Sequence, residues 1–234
     1  MIFNMNSGNE KSEGSLSLSA SSGTIRYVNG TATFTVTRAG DGAISVKSSD
    51  EKIAVATLSG NTVTVKPKGT GTATITVSVA EGTNHKAPAD KTYTVTTEGY
   101  LVYNGVPCYP VIGVGKPPQS GFPAAESVLV RQYDDYIYVA TTDGNWGIAY
   151  LDTKVDLTNY SKLSIWGTFS QDEDNWNHLS AWSSIGNYVV SGRVATVVLG
   201  ATSASVDVSS VDRTAYVGLS LRDKAQKITK MRLT

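Results

Sequence analysis

Gly69-Thr-Gly-Thr-Ala-Thr-Ile-Thr-Val-Ser-Val-Ala-Glu-Gly-Thr83 alternates almost without error. Thr70, Thr72, Thr74, Thr76 and Ser78 share one parity; Gly71, Ala73, Ile75, Val77 and Val79 share the other. Successive side chains of a strand point to opposite faces, so this is a strand with one apolar and one hydroxyl face. The same pattern recurs on both sides of it. Ser15-Leu-Ser-Leu-Ser19 alternates, and Thr31-Ala-Thr-Phe-Thr-Val-Thr37 turns Ala32, Phe34 and Val36 inward. Asn61-Thr-Val-Thr-Val-Lys66 turns Val63 and Val65 inward, and Lys91-Thr-Tyr-Thr-Val-Thr96 closes the set. Gly, Asp and Asn punctuate between these runs, as in Ala39-Gly-Asp-Gly42 and Ser59-Gly-Asn61. Short strands at this spacing, each with one polar face, predict a sandwich of antiparallel sheets.

Three of these stretches carry a family resemblance. They are Ile44-Ser-Val-Lys-Ser-Ser-Asp-Glu-Lys-Ile-Ala54, Ser59-Gly-Asn-Thr-Val-Thr-Val65 and Gly69-Thr-Gly-Thr-Ala-Thr-Ile-Thr-Val77. Together they resemble a bacterial immunoglobulin-like domain of the second group. The continuation Val79-Ala-Glu-Gly-Thr-Asn84, with Ala87-Pro-Ala-Asp-Lys-Thr-Tyr-Thr-Val95, is similar to the subset found in bacteriophage virion proteins. The opening Met-Ile-Phe-Asn-Met resembles the start of small tail-associated phage proteins. The resemblance implies a spacer, scaffold or adhesion module with no catalytic residues to carry over.

The chain changes character near Glu98-Gly-Tyr100. All four Trp and most Tyr and Pro lie beyond it. Gly113-Val-Gly-Lys-Pro-Pro-Gln-Ser-Gly-Phe-Pro123 reads as a loop, because Pro and Gly remove ladder donors and loosen the backbone. Strand patterns resume at Ser127–Arg131, Tyr136–Ala140, Asn145–Leu151, Leu163–Phe169, Tyr188–Val190, Val194–Leu199, Tyr216–Leu221 and Lys227–Leu233. No segment shows a 3.6-residue apolar stripe. About eight strands in this stretch suggest a jelly roll. Lys154-Val-Asp-Leu-Thr-Asn-Tyr-Ser-Lys-Leu-Ser164 resembles an element of galactose-binding-like and carbohydrate-binding jelly rolls. The expected fold is all-β: an immunoglobulin-like sandwich over residues 15–98 and a jelly-roll-like β-sandwich over 99–234. Residues 1–14, polar but for Ile2, Phe3 and Met5, read as a flexible anchoring arm with an apolar tip.

The 234 residues carry 20 basic and 20 acidic side chains, so bulk charge gives no case for nucleic acid or an anionic membrane. The basic run Arg222–Arg232 reads as a solvated strand face. The single cysteine, Cys108, lies in an apolar run and reads as a structural thiol. The first residues lack a basic region followed by a long apolar one, so no secretory signal is read there.

Chemistry is sparse. His85 and His178 stand far apart, with no second His or Cys at metal-ligand spacing. No nucleophile elbow or phosphate loop occurs, so no enzyme is expected and no catalytic residue is named. Gln171-Asp-Glu-Asp-Asn175 is the densest acidic cluster, and Asp172 and Asp174 are its candidate calcium ligands. Trp176 and Trp182, read as lying between strands beside Asn175 and Asn177, form a candidate glycan site. There the indoles would stack on sugar faces and the amides would bond hydroxyls. Trp146 and Trp166, inside strand runs, read as core, and Tyr133, Tyr136 and Tyr138 as cross-strand packing.

The leading expectation is a non-enzymatic bacteriophage virion component of the tail, baseplate, fibre or capsid decoration. It would be made in the host cytoplasm, anchored to other virion proteins by its arm, homo-oligomeric, and would display its sandwiches toward host surface glycans. The alternative expectation is a bacterial cell-surface or secreted carbohydrate-binding or adhesion module.

Overall fold

In the computed structural model the described residues are 10–115, 128–141, 146–171, 176–185, 192–211, 213–222 and 225–234. Every regular element among them is a strand, and the protein is all-β. Two compact units are formed, Met1–Ile25 with Gly30–Thr97 and Arg26–Asn29 with Glu98–Thr234. The anchoring residues Ile2, Phe3 and Met5 lie outside the described residues, as do Asp172, Asp174 and Asn175 and the strand expected at Tyr188–Val190.

The first unit contains β1 (Ser15–Leu18), β2 (Ser22–Tyr27), β3 (Ala32–Ala39), β4 (Ile44–Ser48), β5 (Ala54–Ser59), β6 (Thr62–Pro67), β7 (Gly71–Val79) and the beginning of β8 (Lys91–Tyr103). One sheet has the order β1-β3-β6-β5. In the other, β7 lies between β4 and β8, and β2 pairs with β8. The alternation read in the sequence is the burial pattern of β7: Ala73, Ile75, Val77 and Val79 are buried, together with Phe34, Val36, Val63, Val65, Tyr93 and Val95. Each buried Val, Ile or Phe contributes about 1.5–3 kcal/mol relative to leaving it in water. The hydroxyl parity forms a cross-strand row, with Thr72 opposite Thr96 and their hydroxyls 3.3 Å apart. Ser59 pairs with Thr62 around the two-residue turn Gly60-Asn61, and Gly60 adopts a φ of 59° that only glycine takes at low cost.

One loop junction of this unit is held by a carboxylate. Asp41 accepts hydrogen bonds from the backbone N–H of Thr83 (2.8 Å) and Asn84 (3.0 Å) and lies 3.2 Å from His85 Nδ1. Desolvation opposes its charge, but the backbone of Asn84, the His85 ring and the Thr83 amide together outweigh it and hold the carboxyl at about 2.

The second unit begins with the end of β8 and continues with β9 (Val106–Pro107), β10 (Val111–Gly115), β11 (Leu129–Gln132), β12 (Ile137–Ala140), β13 (Trp146–Leu151), β14 (Val155–Asp156), β15 (Lys162–Phe169), β16 (His178–Trp182), β17 (Arg193–Val198), β18 (Ser203–Asp207), β19 (Thr214–Arg222) and β20 (Gln226–Leu233). One sheet has the order β10-β13-β19-β16-β17, with β14 on β19. The other centres on β20, which pairs with β12, β15 and β8, while β18 pairs with β15. Leu163, Ile165, Leu179, Leu219, Leu221, Met231 and Leu233 are in the core between them. Asn104-Gly105, both at positive φ, turns β8 into β9, with Tyr103 opposite Val106. Cys108 is half-buried, and desolvation pushes its thiol up to about 12.

Several sequence readings change here. Gly113 belongs to a strand rather than a loop, because β10 completes the edge of β13 with register Gly113–Ala149. Trp166, read as core, faces outward at 39 % exposure. Parity explains it: Leu163 and Ile165 fill the inward positions of β15, which leaves position 166 outside.

Candidate functional site

The candidate site lies on the face of the β10-β13-β19-β16-β17 sheet directed away from the core. Cross-strand register fixes which side chains share it. Trp146 lies opposite Arg222, Ile148 opposite Ser220, and His178 opposite Ser220 on the other side. Trp182 lies opposite Tyr216, and Ser180 opposite Thr196. The alternate positions, Ala149, Leu179, Ala181, Val217, Leu219 and Leu221, enter the core. The middle of β19 and nearly all of β16 are buried on both faces, so this side of the sheet is recessed rather than fully solvated.

At one end of this face stand Trp146, Trp176 and Arg222. The two indoles meet edge to face, with centroids 4.5 Å apart and planes at 77°. Such a pair is favourable because a positive ring edge meets a negative ring face. The Arg222 guanidinium lies 5.4 Å from the Trp146 centroid and 6.0 Å from that of Trp176. Trp176 remains 38 % exposed.

Asn177 explains how Trp176 is placed. Only 3 % exposed, it accepts the backbone N–H of Arg222 on its Oδ1 (3.0 Å) and donates from Nδ2 to the Ser170 carbonyl (3.3 Å). Its own carbonyl accepts the N–H of Leu199 (2.8 Å). His178 adds a contact from Nδ1 to the Trp176 carbonyl (2.9 Å). Asn177 thus satisfies buried backbone groups of β19 and of the segment after β15, and fixes the residue before it.

The candidate residues therefore separate. Trp176 is exposed, whereas Asn177 is buried with both amide atoms bonded to backbone groups. Trp182 is not in a loop: it lies in β16 at 1 % exposure, because Trp182 follows the strand parity of Ser180 on the recessed side. Asn175, Asp172 and Asp174 fall outside the described residues. Among the described residues no three His, Cys, Asp or Glu side chains come together as a metal site.

Sequence reading misses Arg193 and Ser220, and reads Arg222 as part of a solvated basic strand face. Arg193 Nη2 donates to Ser220 Oγ at 3.1 Å, reaching from β17 across β16 to β19. Burial disfavours its charge, and its buried Nε has no hydrogen-bond partner among the described residues. Nothing in Ser-Gly-Arg-Val-Ala marks such a contact; a two-strand reach is visible only once the sheet order is known.

No known family model matches the chain, and no curated protein matches it. Similar solved structures exist. One, a study of carbohydrate-binding modules from the β-sandwich superfamily, shares 10 % identity over 97 % of this chain and 99 % of that one, with a TM-score of 0.39. The secreted serine protease VesC from Vibrio cholerae shares 9 % identity over 90 % of this chain and 49 % of its own, with a TM-score of 0.30. CBM51-2 in complex with GlcNAc and INT domains from Clostridium perfringens ZmpB share 11 % identity over 95 % of this chain and 48 % of theirs, with a TM-score of 0.27. This chain spans about half the length of the latter two.

Proposed function

We propose that this is a non-enzymatic carbohydrate-binding protein whose second unit holds the sugar on the recessed sheet face, at Trp146, Trp176 and Arg222. The observation that carries the reading is the exposed indole of Trp176, braced edge-on by Trp146 and held in place by the buried Asn177. An aromatic ring fixed in this way offers a flat apolar surface at little entropic cost, which suits the C–H face of a pyranose. Adjacent guanidinium and hydroxyl groups supply directional bonds for ring hydroxyls. Both histidines have local structural contacts, His85 with Asp41 and His178 with the Trp176 carbonyl, and the reading is of binding without chemistry. Nothing in the structure or among the similar proteins favours the virion role expected from the immunoglobulin-like pattern, the opening residues and the lack of a secretory signal there.

The test is a glycan array with the full chain. Hits are expected, and Trp176→Ala should weaken them more than tenfold, as loss of a central aromatic anchor does at other interfaces. The unfolding midpoint should stay nearly constant, because the ring is partly solvated already. An array empty for the unsubstituted protein, or hits indifferent to Trp176→Ala, would remove the proposal.

A further inference from the structure

Among the described residues Arg193 has no counter-charge. Its guanidinium is partly desolvated, yet among the described residues no carboxylate comes within ion-pair distance of it, and its one hydrogen bond goes to a neutral hydroxyl. Its Nε is buried and makes no hydrogen bond to any described residue. Partly buried arginines are ordinarily held by acids or backbone carbonyls, since desolvating a guanidinium is costly unless the charge is compensated. A guanidinium on a recessed face that no described carboxylate answers has donors to offer an anion from outside.

The surroundings define which anion. Ser220, which holds Arg193, is two residues before Arg222 on β19, so both lie on the same face, about 7 Å apart along the strand. Arg222 is flanked by Trp146 and Trp176. The face thus brings two guanidinium groups beside two indoles, with the Ser180 and Thr196 hydroxyls 2.9 Å apart on the adjoining strands. Each guanidinium is a planar fork that matches a carboxylate with two parallel N–H donors. Indoles beside such a fork suit a ligand that is apolar on its ring face and anionic at one substituent.

We infer that the recessed face is selective for carboxylate-bearing sugars, of the uronic-acid class, with Arg193 as the residue that recognises the carboxylate and Trp176 as the ring platform. This rests on the carbohydrate-binding reading of the same face and adds the charge of the ligand. Among the described residues the other titratable groups of this strand parity are His178, opposite Ser220, and Tyr150 and Tyr216, whose rings meet edge to face.

The experiment is a binding titration of the full chain against three glycan sets on one array: neutral, uronic-acid-containing and sulfated. Carboxylate-bearing glycans should be the tightest hits. Arg193→Gln should weaken them roughly ten- to hundredfold, the range expected when a charge-assisted pair is lost, and should change neutral glycans less than about twofold. Arg193→Lys, which keeps the charge and loses the fork, should fall between. It also serves as the folded control if the Gln variant proves unstable, and raising the salt should weaken only the carboxylated ligands. Hits confined to neutral sugars, sulfated glycans bound as tightly as carboxylated ones, or Arg193 variants with unchanged carboxylate affinity would overturn this inference and leave the carbohydrate reading standing. Absence of any glycan binding would overturn both.

Discussion

The two sheets of the second unit both carry aromatic and cationic side chains on their outward faces, and they treat the cations differently. On the sheet centred on β20, several outward cations are answered from within. Arg232 donates from Nε to the Glu98 carbonyl at 2.7 Å and sits 5.3 Å from the Tyr100 ring. Lys230 and Arg26 lie over the Tyr103 ring at 5.7 and 4.5 Å, and Arg26 also bonds Glu98 at 3.0 Å. Lys227 lies 4.8 Å from the ring of Tyr136, which itself stacks on Tyr133. This face uses its aromatic surface to hold its own charges. Both faces keep an indole exposed, Trp166 at 39 % on the β20 sheet and Trp176 at 38 % on the other; the difference is Arg193, which among the described residues has no carboxylate within ion-pair distance. Arg222 sits beside the rings of Trp146 and Trp176 in the same way, so what separates the two faces is the partnering of Arg193 and not the presence of cations over rings.

The comparison makes a quantitative demand. Arg232→Met removes a charge-assisted bond to a carbonyl and a cation–aromatic contact, and leaves the Glu98 carbonyl without its donor. It should cost about 2 kcal/mol, read from urea unfolding. Arg193→Met removes one bond to a hydroxyl but also relieves a desolvated charge. Those terms oppose each other, and because the group is partly solvent-screened the net change should lie within about 1 kcal/mol of zero. Equal costs for the two substitutions would show that Arg193 is as well compensated as Arg232, and the distinction between the faces would fail.

Much of this architecture was legible in the chain, for a physical reason. Alternation has a period of two, and the strands that carry it cleanly, β3, β6 and β7, have one face in a core and the other in solvent. Where both faces are buried, the signal vanishes. His178-Leu-Ser-Ala-Trp182 read as a loop because Ser180 and Trp182 are as buried as Leu179 and Ala181, so no parity is marked. Asn104-Gly105 was a signal present and unread: an Asn-Gly pair between β-rich runs is a strong hairpin mark. Of the site, the exposure of Trp176 followed from its polar neighbours. The burial of Asn177 did not, because an amide that bonds ligand hydroxyls and one that satisfies backbone groups look alike in sequence. Trp166 shows the converse limit, since strand membership alone does not say which parity faces the core.

The smallest effect sharpens the contrast within the β20 face itself. Arg26 and Arg232 both engage Glu98, the first through its carboxylate and the second through its carbonyl. The Arg26 pair is solvent-exposed, so its attraction is shared with water and weakened by mobile ions. The Glu98 side-chain bond, then its charge, raise the affinity of Arg26 for its proton, but only at pH values where the carboxylate is already ionised. Arg26→Met should therefore destabilise less than Arg232→Met, and the loss should fade as salt is raised toward 1 M, where the Debye length is about 3 Å. The Arg232 loss should persist at that salt, because its acceptor is a partly buried carbonyl and its contact is a ring. Parallel salt series on the two variants decide the matter. If both losses fade together, the β20 face is held by surface electrostatics, and its cations are no more committed than Arg193.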